Sequence, residues 1–366
     1  MILMNDFKAE PETLIAAELQ AVERVLRSGW YVLGEEGRKF EALWSQRCGT
    51  QHAVGVGNGM DAIEIGLRAL DIGPGDEVIT TAMTAFASVL AIIRAGATPV
   101  LADINPETGL LSLESVRRCI TPQTKAVLLV HLYGQVRDMD AWLALCEQHQ
   151  VALLEDCAQA HLASVAGQVA GSFGSFGAYS FYPTKNLGAI GDGGALVTSN
   201  AALADKAGVL RNYGQSVRYY HPEFGMNSRL DEVQAALLSV RLQWLEQYTA
   251  HRQSIAQQYR NALNNAHVKL LLAPEAVTAH VYHLFVVLTQ HRESLQAHLQ
   301  ASGVQALIHY PVPIHHQERC GDIRRDPAGL QASETHALQC LSLPCHPQMS
   351  EQDVQTVIDA VNRFVP

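Results

Sequence analysis

The 366-residue chain predicts an α/β fold: a mostly parallel sheet covered by helices, followed by a smaller C-terminal α+β domain. Two observations carry this expectation. Short apolar runs alternate with amphipathic stretches over the first two-thirds of the chain, the pattern of repeated strand–helix units. That character changes near Asn227. The length adds a third reason for two domains, since it exceeds what one hydrophobic core usually supports.

Strands are expected at 52–56, 77–80, 98–101, 126–131, 151–154 and 195–198, each a short apolar run suited to a buried sheet. Helical patterns fill the gaps at 61–70, 85–94, 113–119, 139–149 and 201–210. Past Asn227, Ser228 and Asp231 have the spacing of a capping box, and Leu230, Val233, Leu237, Val240 and Trp244 recur at helical spacing. One long helix is therefore expected there, with the boundary between domains 1–240 and 241–366 inside it. The second domain should include a strand at 282–288 and a closing helix around 354–364.

Hydrophobic residues make up 48% of the chain and charged residues 17%, which describes a globule with a large core. The 36 acidic against 26 basic residues leave a net charge of −10, which argues against a nucleic-acid surface. The start, MILMNDFKAEPE, has no basic stretch leading into an apolar one, so no signal peptide is expected. The apolar segment 80–102 contains Arg94, Gly96 and Pro99. A lipid-facing arginine costs roughly 3 kcal/mol on insertion scales, so the segment reads as core and no membrane association is expected. Seven scattered cysteines without a CxxC pair fit reduced thiols and a cytoplasmic setting.

The chemistry centres on Lys185, the one charged side chain between Asp156 and Asp192, set among aromatics and eight glycines between Gly167 and Gly194. An ammonium there is desolvated, and burial lowers a lysine pKa toward a free, nucleophilic amine. Upstream, the run 151–154 ends in Glu155 and Asp156, at the carboxyl end of a strand where α/β folds bind ligands. A desolvated lysine and a buried carboxylate match what pyridoxal phosphate requires: an amine to hold its aldehyde and an anion to keep its ring nitrogen protonated. The segment 54–61, VGVGNGMD, reads as strand, glycine turn and helix start, an arrangement whose backbone amides hold a phosphate. His309, His315 and His316 cluster in sequence, but they lack helical ligand spacing and two prolines break the segment, so no metal is expected. Glu64, Arg68 and the charges of 243–260 read as solvated helix faces.

The segments GNGMDAIEIGLRALDIGPGDEVI, HLYGQVRDMD, EDCAQAH, SFYPTKNLGAIGDGG, LRNYG, NSRLDEVQAALLSVRL and LIHYPVPIHHQ, in this order, resemble the DegT-type sugar aminotransferases. That family has the fold-type I pyridoxal-phosphate architecture and aminates nucleotide-linked keto sugars. The resemblance implies Lys185 and Asp156 as catalytic residues. It places the cofactor phosphate against Gly59 and Met60, with the Ser180 hydroxyl, and brings Asn227 from a partner subunit, so that a homodimer shares its active sites. Many relatives have a hydroxyl residue where this chain has Met60, which leaves only its amide to serve. Phe86 would stack on the cofactor ring, and Gln159 would bind its phenolic oxygen. Tyr182, Tyr219, His309 and Tyr310 would meet the sugar nucleotide, with Tyr219 from the partner chain.

Within the family the chain is most similar to enzymes that aminate C3 of a dTDP-linked 3-keto-6-deoxyhexose. L-glutamate is the expected amino donor, and the expected product serves a surface polysaccharide such as a lipopolysaccharide O-antigen, or a glycosylated metabolite. The alternatives are a 4-keto sugar or cyclitol aminotransferase and, more remotely, a non-catalytic cofactor-binding regulator. Related dehydratases carry histidine in place of the lysine, so Lys185 disfavours that chemistry.

Overall fold

The computed structural model describes residues 1–366. Helices α1 (Glu12–Ser28) and α2 (Glu35–Cys48) precede the first strand. Strands β1 (His52–Val56), β2 (Glu77–Thr81), β3 (Thr98–Ala102), β4 (Thr124–Val130) and β5 (Ala152–Asp156) follow. A small hairpin, β6 (Ser164–Val165) and β7 (Gln168–Val169), then leads to β8 (Phe176–Ser180) and β9 (Gly194–Thr198). Between them run α3 (Gly59–Ala69), α4 (Phe86–Arg94), α5 (Leu113–Cys119) and α6 (Met139–His149), and α7 (Ala201–Leu210) comes after β9.

The seven long strands form one sheet in the order β1-β9-β8-β5-β4-β2-β3, in which β9 alone runs against its neighbours. Apolar residues fill both faces. One cluster joins the sheet to Phe40, Trp44 and Trp142, and the other joins it to the apolar stripe of α3 and to α7. This is the α/β layering that the alternating pattern predicts.

Several expectations need correction. Strand β8 lies in the middle of the sheet, where no strand was expected. Its glycines hide it: a Cβ on Gly177 would collide with the backbone of Gly171, so close backbone approach displaces the β-branched residues that mark strands. The single long helix is in fact two, α8 (Glu232–Arg241) and α9 (Leu245–Ala262). No capping box starts α8, because the Ser228 hydroxyl accepts the Gly57 N–H at 2.9 Å instead. Glu64 is 4% exposed rather than solvated, with Arg94 Nε at 2.8 Å and Arg68 beside it, and burial raises its pKa. Arg252, also expected at the surface, is buried with its guanidinium on the carbonyls of Cys345 and Tyr282.

The C-terminal part packs β10 (Lys269–Leu270), β11 (Phe285–Leu288) and β12 (Cys340–Leu343) into an antiparallel sheet. Helices α10 (Arg292–Ala301), α11 (Gln331–Gln339) and α12 (Glu351–Asn362) complete it. The strand expected at 282–288 is thus shorter, since Tyr282 has φ 44°, outside the strand region. A capping box does start α12, where Ser350 and Asp353 exchange side-chain bonds with each other's backbone. The two parts interlock: the chain start pairs Ile2 with Val304, and Arg325 bridges to Leu101 on the edge of the large sheet.

Candidate active site

Side chains alternate across a strand, so the last two residues of β5 point to opposite faces. Glu155 accepts the amides of Gly171, Phe173 and Gly174 at 2.7 to 2.8 Å and meets His131 Nε2 at 2.9 Å. That carboxylate is spent on fixing the loop before β8. Asp156 faces the other way, 6% exposed. Its Oδ2 accepts the Ser88 hydroxyl at 2.7 Å and its Oδ1 the Ala158 amide at 3.1 Å.

Lys185 lies in the loop between β8 and β9. That loop is closed by the Ala189 amide on the Phe181 carbonyl and the Lys185 amide on the Tyr182 carbonyl. Lys185 is partly buried, and desolvation pushes its amine down to about 8 while the Asp156 charge pulls it up. Amine and carboxylate therefore share one cleft. Histidines surround the amine as neutral groups. Burial lowers His161 to about 3 and His283 well below the imidazole range, with the Lys185 charge as the second cause in both.

The glycine turn joins β1 to α3, and Asn58 caps the helix by accepting the Asp61 amide at 2.9 Å. The amides of Gly59 and Met60 have no partner in the chain. A Cβ on Gly59 would lie 2.8 Å from Ser180 Cβ, so glycine lets the helix start press against the end of β8. The Ser180 hydroxyl accepts the Tyr182 amide at 3.3 Å and keeps its own proton to donate. Phe86 opens α4, two residues before Ser88, and is 40% exposed. Gln159 is buried; its Oε1 takes the Tyr133 amide at 2.6 Å and its Nε2 donates to the Tyr310 hydroxyl at 3.2 Å.

The structure brings His309 and Tyr310 into the same cleft. Desolvation, then Lys185, lowers His309 to about 4; desolvation, then Asp156, raises Tyr310 to about 12. His315 has a different partner, Glu334 at 3.0 Å. Tyr182 is half exposed beside the Lys185 loop. Tyr219 and Asn227 are exposed, and neither side chain hydrogen-bonds within its own chain, so the single chain does not join them to the Lys185 cleft. Ser88, Tyr133 and His283 are the residues that the sequence reading passes over. A hydroxyl on the apolar face of α4 was the available signal for Ser88.

The residues present fit pyridoxal phosphate. Unpartnered helix-start amides and a free hydroxyl proton suit its phosphate, an anchored carboxylate suits its ring nitrogen, and a desolvated amine suits its aldehyde. Fold and site together define an aminotransferase. The chain belongs to the DegT/DnrJ/EryC1/StrS aminotransferase family, whose model matches residues 12–362. It is 44% identical over 359 residues to a dTDP-3-amino-3,4,6-trideoxy-alpha-D-glucose transaminase of Streptomyces venezuelae, covering 98% of this chain and 95% of the relative. It is also 44% identical over 345 residues to a dTDP-3-amino-3,6-dideoxy-alpha-D-galactopyranose transaminase of Aneurinibacillus thermoaerophilus, covering 94% of each. The crystal structure of S. venezuelae DesV with a ketimine intermediate superposes with a TM-score of 0.95 at 44% identity, over 100% of this chain and 99% of that one.

Proposed function

We propose that this chain is a pyridoxal-phosphate-dependent aminotransferase that moves an amino group from L-glutamate to C3 of a dTDP-linked 3-keto-6-deoxyhexose. The product would be a dTDP-3-amino-3,6-dideoxyhexose. One observation carries the reading: the desolvated Lys185 amine shares its cleft with the anchored Asp156 carboxylate. The names of two relatives with 44% identity, both dTDP-3-amino sugar transaminases, support the choice of carbon and nucleotide.

When bound, pyridoxal phosphate supplies an electron sink that stabilises negative charge on the carbon bearing the amine. The Gly59 and Met60 amides and the Ser180 hydroxyl would hold its phosphate, Phe86 would cover one ring face, and the second Nε2 proton of Gln159 would meet the phenolic oxygen. Asp156 keeps a proton on the ring nitrogen. Lys185 would hold the aldehyde, and its amine when free would take the proton from the donor's α-carbon and, in the second half of the reaction, give one to the sugar carbon that receives the amine. Burial lowers the Lys185 amine toward about 8, which brings its neutral, basic form within reach near neutral pH. The neutral His161 and His283 do not compete with it for that proton. His309 and Tyr310 would meet the sugar nucleotide, together with Tyr182 and the partner's copy of Tyr219.

On this reading the cleft forms between domains 1–240 and 241–366, since Lys185 comes from the first and His309 from the second. A homodimer completes it through Asn227, and the enzyme works in the cytoplasm on precursors of a surface polysaccharide. No helix is long and apolar enough to cross a membrane. The test is a purified enzyme offered C3-keto and C4-keto sugar nucleotides in parallel with glutamate. We expect amination of the C3-keto compound with release of 2-oxoglutarate. Turnover of the C4-keto compound alone would overturn the assignment of the carbon.

A further inference from the structure

Tyr133 is 2% exposed and lies in a short helical turn after β4. Its backbone has φ 62°, a left-handed conformation uncommon for an aromatic residue. That conformation aims two parts of the residue at two walls of the cleft. The Tyr133 amide donates to Gln159 Oε1 at 2.6 Å, and Gln159 Nε2 in turn donates to the Tyr310 hydroxyl at 3.2 Å. The Tyr133 hydroxyl lies 2.7 Å from the His309 carbonyl oxygen and 2.8 Å from His336 Nε2.

The proton positions follow from these contacts. A carbonyl only accepts, so the Tyr133 proton points at His309. The Tyr133 oxygen must then accept from His336, which places the imidazole proton of His336 on Nε2. Burial lowers His336 to about 4, so the ring is neutral and has that single proton to give. The Tyr133 and His336 rings stack, 5.9 Å apart and 20° from parallel, which fixes the hydroxyl from behind. On its other side His309 is held through Nδ1 by the Ser342 hydroxyl at 2.9 Å.

We propose that Tyr133 is a positioning residue for the sugar half of the reaction. One residue sets the His309 carbonyl by its hydroxyl and, through Gln159, the Tyr310 hydroxyl by its amide. The His309–Tyr310 pair thereby stands at a fixed place near Lys185 and Asp156. Tyr133 touches neither of those two groups, so it acts through others. The proposal rests on reading the Lys185 cleft as the catalytic site and His309 and Tyr310 as its sugar-side wall.

Tyr133→Phe tests it, because the variant keeps the ring, the stack on His336 and the amide bond to Gln159, and removes only the hydroxyl. In the holoenzyme we expect the glutamate half-reaction to stay within about twofold of wild type, while KM for the keto sugar nucleotide rises about tenfold. Ser342→Ala, which frees His309 from the other side, should reproduce the same split. Hydrogen exchange provides a readout independent of turnover: the peptide spanning 305–312 should exchange faster in both variants. Wild-type kinetics together with wild-type exchange in Tyr133→Phe would overturn the proposal. Equal losses in both half-reactions would overturn it as well, because they indicate a general structural role. Failure of the underlying site reading looks different: Lys185→Ala would keep its turnover, and the exchange measurement would still decide whether Tyr133 holds the segment.

Discussion

Ser88 Oγ donates to Asp156 Oδ2 at 2.7 Å, tying the carboxylate at the end of β5 to the helix that Phe86 opens. The carboxylate proposed to face the ring nitrogen and the aromatic proposed to cover the ring are thus both tied to one helix. Asp156→Asn keeps the shape and removes the charge, and should slow the glutamate half-reaction by about three orders of magnitude or more. Ser88→Ala leaves the charge and frees one carboxylate oxygen, so about tenfold is expected. Single-turnover absorbance measurements with glutamate give both numbers. A loss below about tenfold, or 1.4 kcal/mol of barrier, in Asp156→Asn would make Asp156 a structural residue.

The titration of Lys185 predicts a stability window. Its folded pKa is about 8 against an ordinary value of 10.5. Between those values the unfolded chain holds a proton that the folded chain has lost, so stability rises with pH. The cost of burying the charged amine is full below pH 8 and gone above 10.5. Urea melts of cofactor-free wild type and Lys185→Met, subtracted at each pH, should show this rise. Borohydride should fix the cofactor covalently on Lys185 in the holoenzyme. A flat difference curve would mean that the amine is not desolvated, and recovery of reduced cofactor on Lys125 or Lys206 would end the assignment of the anchoring lysine.

Glu232 offers a test of fold stability away from the chemistry. It is 2% exposed, and its carboxylate accepts the amides of Gly34, Glu36 and Gly37 at 2.8 to 2.9 Å, capping the start of α2 from the first turn of α8. Glu232→Ala should lose about 3 kcal/mol, since three amides, one buried and two partly buried, lose their acceptor. Glu232→Gln should lose about half as much, because one amide oxygen remains. A Cβ at Gly34 would lie 2.6 Å from Glu232 Oε2, so Gly34→Ala should destabilise through the same contact. Equilibrium urea denaturation measures all three, and a change under about 0.5 kcal/mol in Glu232→Ala would show that solvent replaces the carboxylate.

Much of the large domain is legible from local pattern. The bounds of β1, α5, α6 and α7 coincide with expectation, because each can be read from its own residues; Ser112 and Asn200, for instance, cap α5 and α7 by accepting the amides of Ser115 and Leu203. Strand β8 fails that test, since its identity depends on Gly171 lying against Gly177, a contact between separate segments. Ser228 and Asp231 show the opposite error: a valid local capping signal loses to a long-range bond with the Gly57 amide. The site divides in the same way. Lys185 and Asp156 are charges in apolar company, which sequence reveals. Ser88 and Tyr133 look like ordinary core residues, and acquire their roles only when folding brings them to Asp156 and His309, 68 and 176 positions away. Glu232 likewise reads as a first-turn acid until α8 packs against α2.

Asn227 carries the last prediction. Its side chain is exposed and makes no hydrogen bond within its own chain, although its neighbour Ser228 holds the Gly57 amide at the start of the glycine turn. An exposed amide side chain with no partner in its own chain is free to complete a phosphate site in the partner subunit, as the family resemblance implies. Mixing two inactive proteins, Lys185→Ala and Asn227→Ala, distinguishes service across the interface from service within the chain. If Asn227 reaches the partner's site, a mixed dimer has one site with both defects and one with neither, and activity returns toward half the wild-type value per dimer. If Asn227 serves its own chain, each site keeps one defect and mixing restores nothing. Size exclusion of differently tagged chains verifies that subunits exchange, and Asn227→Ala must first prove severely impaired in turnover, as expected when a charged phosphate loses a hydrogen-bond partner.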